Sequence, residues 1–531
     1  MKALLSVYNK DGIVEFAQEL IDLGWGIISS GGTAAVLKKA GLAVQDVAEV
    51  TGRGSILGHR VVTLTPEIHG GLLATAEHTE ELQRLGFPWI GLVCVDLYPL
   101  KDEVCKLEAT RESIIEQTDI GGPTLLRSAA KGRRIVIADP ADRSAVIQWL
   151  KIGRPNNSDF ITRLVAKAEG IVADYCLESA RFHSARTIDG FVGAQVHECK
   201  YGENPCQAGA GLFTLNSGDP LALDRFELVG GDEPSLINFT DADRLLQTMT
   251  HIAAGFDVNF GTVPCIAIGV KHGNACGAAV ADSPLTALER MIDGDVTAIF
   301  GGFVMTNFPI VADEAVILRR YRMGGGEAKR MLDGVIAPAF SENATEVLAR
   351  TKTGKCRMFQ NPALQDLTKN SLDFAPRFRM VRGGFLRQSN YTFVLDFAHP
   401  EFEVSGLGFF ADVKRDMVLA WGVGSTSTSN TITLVRDGQL IGNAVGQQSR
   451  VDAARLALDR ARNYDVRGAV AYSDSFFPFD DGPKVLVGAG TRAVFASRGS
   501  AKDEEVKKVF ADAGVLFCTL PDRVCRGFYG H

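Results

Sequence analysis

Short apolar runs that read as buried strands alternate with helix-period segments along most of this chain. That alternation restricts it to α/β folds built on parallel sheets. Lys2–Val7 reads as a buried strand, and Ile13, Phe16, Leu20 and Leu23 follow at helical spacing with Asp11 as the expected cap. Trp25–Ser29 returns to strand character and leads into Ser30-Gly31-Gly32-Thr33 and the helix-like Ala34–Ala40. A strand, a glycine-rich turn and a helix N-terminus together make an anion site, because unpaired N–H groups and the helix dipole both favour a phosphate. A plain tight turn is the competing reading. Ile90–Val95, the helical Ser113–Gln117 and Arg134–Ala138 continue the pattern, and a composition shift at Val192–Lys200 marks a candidate linker. Beyond it Cys265–Val270, Ala298–Met305, Thr431–Leu434, Gly468–Tyr472 and Ala493–Phe495 read as strands. Between them lie the helical Leu285–Met291, Asp452–Ala461 and Glu504–Ala513. The second half is again α/β, expected as two lobes, with no convincing sequence repeat.

At 531 residues the chain exceeds one compact core. Its 46% apolar and 22% charged residues are those of an ordinary globular protein. A net charge of −7 argues against a nucleic-acid partner, which selects basic surfaces. The longest apolar stretch, around Trp89–Val95, is far too short to span a bilayer and no leader precedes Lys2, so a cytoplasmic location is expected. None of the ten cysteines stands in C-x-x-C spacing, which fits reduced thiols and not a zinc site.

Two short runs carry the chemistry. Asp119-Ile-Gly-Gly-Pro-Thr-Leu-Leu-Arg-Ser-Ala-Ala-Lys131 and Lys271-His272-Gly-Asn-Ala-Cys-Gly277 each set ionisable side chains beside glycines that admit a ligand to the backbone. Their separation in sequence points to two sites and a bifunctional enzyme.

With these runs stand Ser30-Gly-Gly-Thr33, Leu97-Tyr98-Pro99, Tyr201-Gly-Glu-Asn-Pro205, Asp333-Gly-Val-Ile-Ala-Pro338, Gly446-Gln-Gln-Ser-Arg450 and Ser473-Asp-Ser-Phe-Phe-Pro-Phe479. In that order they resemble the bifunctional AICAR transformylase/IMP cyclohydrolase family over almost the full length. The resemblance implies a methylglyoxal-synthase-like domain over 1–193 that closes formyl-AICAR to IMP with loss of water. It implies a transformylase domain of two cytidine-deaminase-like lobes over 200–531, which transfers a formyl group from 10-formyltetrahydrofolate to the 5-amino group of AICAR. It also implies a homodimer. No metal is expected, since the deaminase zinc pattern H-x-E with P-C-x-x-C is missing from the sequence.

Formyl transfer needs a weakly nucleophilic amine to lose a proton while the folate N10 leaves and an oxyanion develops. A neutral imidazole can take that proton, and a neighbouring ammonium favours the neutral imidazole and steadies the negative charge. Lys271 and His272 supply both groups. By resemblance Asn430 orients the formyl group, Arg450 and His531 hold the nucleotide, Phe479 lines the site and Asp333 lies near the folate. Tyr201 and Asn238 join the expected substrate contacts. Cyclisation asks for a base at an amide nitrogen and a donor at the oxyanion, and Asp119 with Lys131 and Tyr98 fits those roles. Ser6, Lys10, Ser30, Gly31, Gly32, Thr33, Arg60 and Thr63 form the expected phosphate and ribose cradle.

The chain departs from the family pattern at several of these places. Val62 replaces a lysine of the cyclisation site, Tyr8 a serine, and Asp96 the asparagine of Asn-Leu-Tyr-Pro. An apolar side chain cannot donate to an oxyanion, and an added carboxylate and ring weaken binding of a phosphate. In the second site Cys206 replaces a histidine and Thr428 a lysine, and Gly442-Asn-Ala-Val-Gly446 replaces a Gly-Ile-Gly-Ala-Gly run. Two alternatives follow: a paralogue that keeps transfer alone or acts on an AICAR-like nucleotide, and a non-catalytic purine-nucleotide or folate binder. Retention of Lys271, His272, Asp119 and Lys131 together speaks against the binder.

Overall fold

The computed structural model describes residues 1–215, 217–324, 328–349 and 356–530. It divides into two compact units, Met1–Ala194 and Gln195–His531.

The first unit is a five-stranded parallel sheet of β1 (Lys2–Ser6), β2 (Gly26–Ser29), β3 (Val44–Asp46), β4 (Ile90–Val95) and β5 (Ile135–Ile137) in the order β3-β2-β1-β4-β5. Its strands are nearly all apolar because both faces are covered. Leu5, Ile27, Leu92 and Ile137 pack on one side with Phe16 and Leu20 of the helix Ile13–Asp22. Leu4, Ile28, Val93 and Val136 pack on the other with Leu125 and Leu126 of the helix Gly121–Lys131. Such a sheet offers ligands the carboxyl ends of its strands, where the chain turns into helices.

Two local expectations give way. Asp11 does not cap the first helix; Gly12 occupies that position at φ 67°, a left-handed conformation that glycine adopts without strain. The helix after β2 begins at Gly31, so both glycines lie in its first turn and Ser30 is the N-cap. Propensity alone starts that helix too late, because glycine scores poorly in a helix yet is tolerated at its first turn.

In the second unit β6 (Ala194–Glu198) pairs with β7 (Gly211–Thr214), so the expected linker at 192–200 contains a strand. Among the described residues the main sheet has twelve strands. Its first half comprises β8 (Glu227–Gly230), β9 (Cys265–Lys271), β10 (Asn274–Ala281), β11 (Phe303–Thr306), β12 (Gly334–Ala337) and β13 (Arg357–Gln360). After the hairpin β14 (Arg377–Val381) and β15 (Gly384–Gln388) come β16 (Glu403–Ser405), β17 (Ile432–Arg436), β18 (Gln439–Ala444), β19 (Val470–Ser473), β20 (Ala493–Arg498) and β21 (Leu516–Pro521). The strand expected at Ala298–Met305 starts only at Phe303, after a turn.

The sheet order β16-β21-β20-β19-β17-β18-β10-β9-β11-β12-β13-β8 is a repeat about its centre. Each lobe runs edge strand, helix, β-hairpin, helix, strand, helix, strand, helix, strand, with matching directions. The lobes join where β10 pairs antiparallel with β18. The first helices of the two lobes, Leu236–Phe260 and Ala411–Gly424, share one buried layer. They cross closely at two glycines: a Cβ on Gly255 would lie 2.7 Å from Val418, and one on Gly422 would lie 2.6 Å from Ile252. Among the described residues no helix is long and apolar enough to cross a membrane.

Two candidate active sites

In the first unit Ser6 ends β1, and Ser30, Gly31, Gly32 and Thr33 open the helix after β2. Thr33 is buried and its hydroxyl accepts from Val7 N–H at 3.2 Å and donates to Val7 C=O at 3.0 Å, so it fixes the loop and does not face a ligand. Beside Gly32 a Cβ would still stand 3.7 Å from Lys10 Cε, and nothing approaches Gly31, leaving the helix N-terminus open. Lys10 Nζ donates to the carbonyls of Val7 and, at 2.9 Å, of Tyr8. Burial lowers its pKa, against the pull of Asp96. The Asp96 carboxylate accepts the N–H of Tyr8 and, at 3.0 Å, that of Asn9. A side-chain anion thus occupies adjacent N–H groups of the kind that bind phosphates.

Asp119 stands just before the helix Gly121–Lys131, and Gly122 N–H donates to its carboxylate at 2.8 Å. Burial raises its pKa, partly offset by the N–H groups of Gly122, Tyr98 and Gly121, which makes it a better base than an exposed carboxylate. The Tyr98 ring meets the Tyr8 ring edge-on at 5.7 Å, and burial, Asp119 and Tyr8 all raise its pKa. Lys131 is exposed at the opposite end of the helix, about 15 Å along its axis, so the structure does not bring it to Asp119 within one chain. Val62 packs against the apolar cluster beneath, while the neighbouring Thr63 is buried with its hydroxyl 3.3 Å from where a Cβ on Gly121 would be. Arg60 is exposed and pairs with Glu116. Tyr175 was not legible in the sequence: its hydroxyl accepts Asp119 N–H at 2.6 Å and donates to Gln117 C=O at 3.1 Å.

In the second unit Lys271 ends β9, and His272-Gly273 form the tip of the hairpin to β10. Both tip residues have positive φ, 53° and 71°, as a two-residue type I′ turn requires. Lys271 and His272 line a cavity of about 300 Å³ with Asn274, Cys276, Asp295 and Arg460. Lys271 Nζ donates to Phe300 C=O at 3.3 Å. Burial pushes the Cys276 thiol up to about 12, leaving it inert as a nucleophile.

The segment carrying Asn430 comes to the same place, because Asn274 Oδ1 accepts Thr428 N–H at 3.2 Å. Asn430 donates to Gln447 C=O at 2.8 Å and accepts from Arg450 at 2.8 Å. Arg450 also pairs with the fully buried Asp474, which accepts Thr431 N–H at 3.1 Å. Asp333, preceding β12, lies near enough to Asp241 to raise its pKa, after burial and against His272. Asn238 is buried with its amide oxygen in a capping box on Ser235, 2.9 Å from the backbone N–H. Tyr201 opens a turn closed by Gly202 N–H to Gln207 C=O at 2.8 Å. Phe479 is 62% exposed. His531 lies outside the described residues. Among those described, no group of three or more His, Cys, Asp or Glu side chains is placed to hold a metal ion. Among the described residues no two cysteines form a disulfide.

Residues 12–124 match the model of the MGS-like domain. The chain is similar to the bifunctional purine biosynthesis protein PurH of Acidithiobacillus ferrooxidans, with 35% identity over 523 residues that cover 95% of each chain. It also shares 33% identity with the crystal structure of ForH, over 35% of this chain and 99% of that one, at a TM-score of 0.32. Residues 129–460 match the model of the AICARFT/IMPCHase bienzyme, and the chain belongs to that family.

Proposed function

We propose that this chain serves purine biosynthesis by transferring a formyl group from 10-formyltetrahydrofolate to the 5-amino group of AICAR and closing the product, formyl-AICAR, to IMP. The observation that carries the reading is the Lys271–His272 hairpin tip beside a cavity, in a chain of the bienzyme family. In the transfer the amine nitrogen attacks the formyl carbon, His272 takes the amine proton, and Lys271 steadies the oxyanion. Collapse of that intermediate expels N10 of the folate, which picks up a proton. Asn430, held by Gln447 and Arg450, orients the formyl group, and Arg450, Phe479, Asp333, Tyr201, Asn238 and His531 take the nucleotide and folate. In the cyclisation Asp119 removes the proton of the attacking carboxamide nitrogen, Tyr98 donates to the oxyanion, and water leaves. Ser6, Lys10, Ser30, Gly31, Gly32, Arg60 and Thr63 receive the ribose phosphate, with Thr33 fixing the loop from behind. The protein works in the cytoplasm as a homodimer; sedimentation as monomer at micromolar concentration with full transfer activity would count against the dimer.

One observation favours a narrower reading in which cyclisation is weak or its nucleotide different: Asp96 already occupies two loop N–H groups and Val62 offers no donor. The test is the full-length protein with AICAR and 10-formyltetrahydrofolate, following tetrahydrofolate and IMP separately. Both products support the bifunctional reading, tetrahydrofolate alone supports the narrower one, and neither product defeats both.

A further inference from the structure

We infer that Asp241 and Arg244 are positioning residues that hold the His272 turn in its working conformation. The inference rests on the reading of His272 as the proton acceptor. His272 has φ 53°, a left-handed conformation that is strained for an L residue and persists only where the surroundings enforce it. Both ends of the next residue are held from one helix, Leu236–Phe260. Asp241 accepts Gly273 N–H at 2.8 Å, and Arg244 Nε donates to Gly273 C=O at 2.8 Å. Arg244 is fixed in turn by Tyr529, donating to its carbonyl at 2.5 Å and lying over its ring at 4.4 Å. Asp241 and Arg244 are themselves buried, and His272 is exposed. The clamp therefore fixes the backbone and leaves the imidazole free.

The second lobe contains the same device without the chemistry. Its hairpin tip is Asp437-Gly438, with φ 53° and 74°, and Asp416 accepts their N–H groups at 2.9 and 2.7 Å. Asp416 is the sixth residue of its helix, as Asp241 is of the first-lobe helix. Gly438 C=O, however, accepts from Val280 N–H of the neighbouring strand at 2.9 Å, and Leu419 stands where the first lobe has Arg244. In the first lobe the guanidinium replaces that strand contact, so the tip is held without being paired into the sheet. The structure thus supplies its own control.

The test compares Asp241→Ala, Asp241→Asn, Arg244→Lys and Asp416→Ala in the full chain, with kcat and KM for transfer, IMP formation from formyl-AICAR and thermal stability. Misplacing a reacting group by about 1 Å costs on the order of 100-fold. Asp241→Ala should lower the transfer kcat by about that factor with KM little changed and cyclisation intact. Asp241→Asn, whose amide oxygen can accept the same N–H, should recover most of the loss. Asp416→Ala should destabilise comparably yet leave the transfer kcat of the folded protein near wild type. Near-normal kcat in Asp241→Ala, or an equal loss in Asp416→Ala, overturns the inference. Should Asp241→Ala not fold, Arg244→Lys decides, since it removes the Gly273 C=O contact. His272→Ala separates the two layers: if it leaves transfer intact the base assignment fails, and if it abolishes transfer while the clamp variants do not, only the clamp fails.

Discussion

Val62→Lys is the most informative change in the first unit. Val62 sits partly buried on the apolar cluster below, next to Thr63, whose hydroxyl abuts the start of the helix that follows Asp119. A lysine there can lay its stem on the same surface and carry its ammonium beyond it. One oxyanion donor is worth at most about 3 kcal/mol, or roughly 100-fold. The loop holds wild type and variant back alike, because in both a phosphate must displace Asp96 from Asn9 N–H and Lys10 Nζ from Tyr8 C=O. At about 1 kcal/mol for each contact, this common cost slows both proteins by about 30-fold and cancels from their ratio, so the gain read against wild type is up to about 100-fold. Adding Tyr8→Ser removes the ring set against Tyr98 and should act more than additively, since both positions share one ligand. Asp96→Asn should not help. An amide has one acceptor oxygen for the two N–H groups, so this variant should loosen the loop and lower thermal stability. The assay is IMP absorbance from synthetic formyl-AICAR for wild type, both single variants and Val62→Lys/Tyr8→Ser. No rise in either lysine variant, with melting curves unchanged, would refute the reasoning and mean that the pocket is shaped for another ligand.

Three further outcomes are expected. Asp474→Ala leaves Arg450 buried without its partner and should cost about 3–5 kcal/mol by denaturant titration while also lowering transfer through the freed Asn430; unchanged stability would contradict the buried pair. Tyr175→Phe removes both hydroxyl contacts beside Asp119 and should lower the cyclisation kcat about tenfold with KM little changed, without touching transfer; an effect on KM alone would assign Tyr175 to binding. Burial lowers His251 to about 4 from an ordinary value near 6.5 and raises Asp416 to about 6 from near 4, so the two act oppositely. The His251 contribution is present above pH 6.5 and lost as the pH falls toward 4, whereas the Asp416 contribution is full below pH 4 and lost as the pH rises through 6. His251→Phe should therefore tilt the stability profile so that it falls with rising pH between about 4 and 6; an unchanged profile would contradict the buried neutral imidazole.

The parallel sheet of the first unit was legible because strands buried on both faces are unbroken apolar runs, as in Ile90–Val95. The Lys271–His272 pair stood out through the family motifs around it, since a lysine and a histidine beside a glycine are on their own more often structural or exposed. The repeat in the second unit was not, since matching strands share burial and not residue identity. Helix-held backbone contacts such as Asp241 to Gly273 join positions far apart in sequence and leave no local pattern. The separation of Asp119 from Lys131 needed the helix itself: twelve residues are close in sequence yet lie at opposite ends of three turns. Glycines in the first turn of a helix, as at Gly31, misled for the opposite reason, since local propensity outweighed position.

The account's central claim is that two independent sites sit in one chain, and paired single-site variants test it most directly. Lys271→Ala and His272→Ala should each cut tetrahydrofolate release from AICAR and 10-formyltetrahydrofolate by about 100-fold or more while leaving IMP formation from formyl-AICAR unchanged. Asp119→Asn should do the reverse. If a folded Lys271 or His272 variant loses cyclisation along with transfer, or a folded Asp119 variant loses transfer along with cyclisation, the two-site account is wrong.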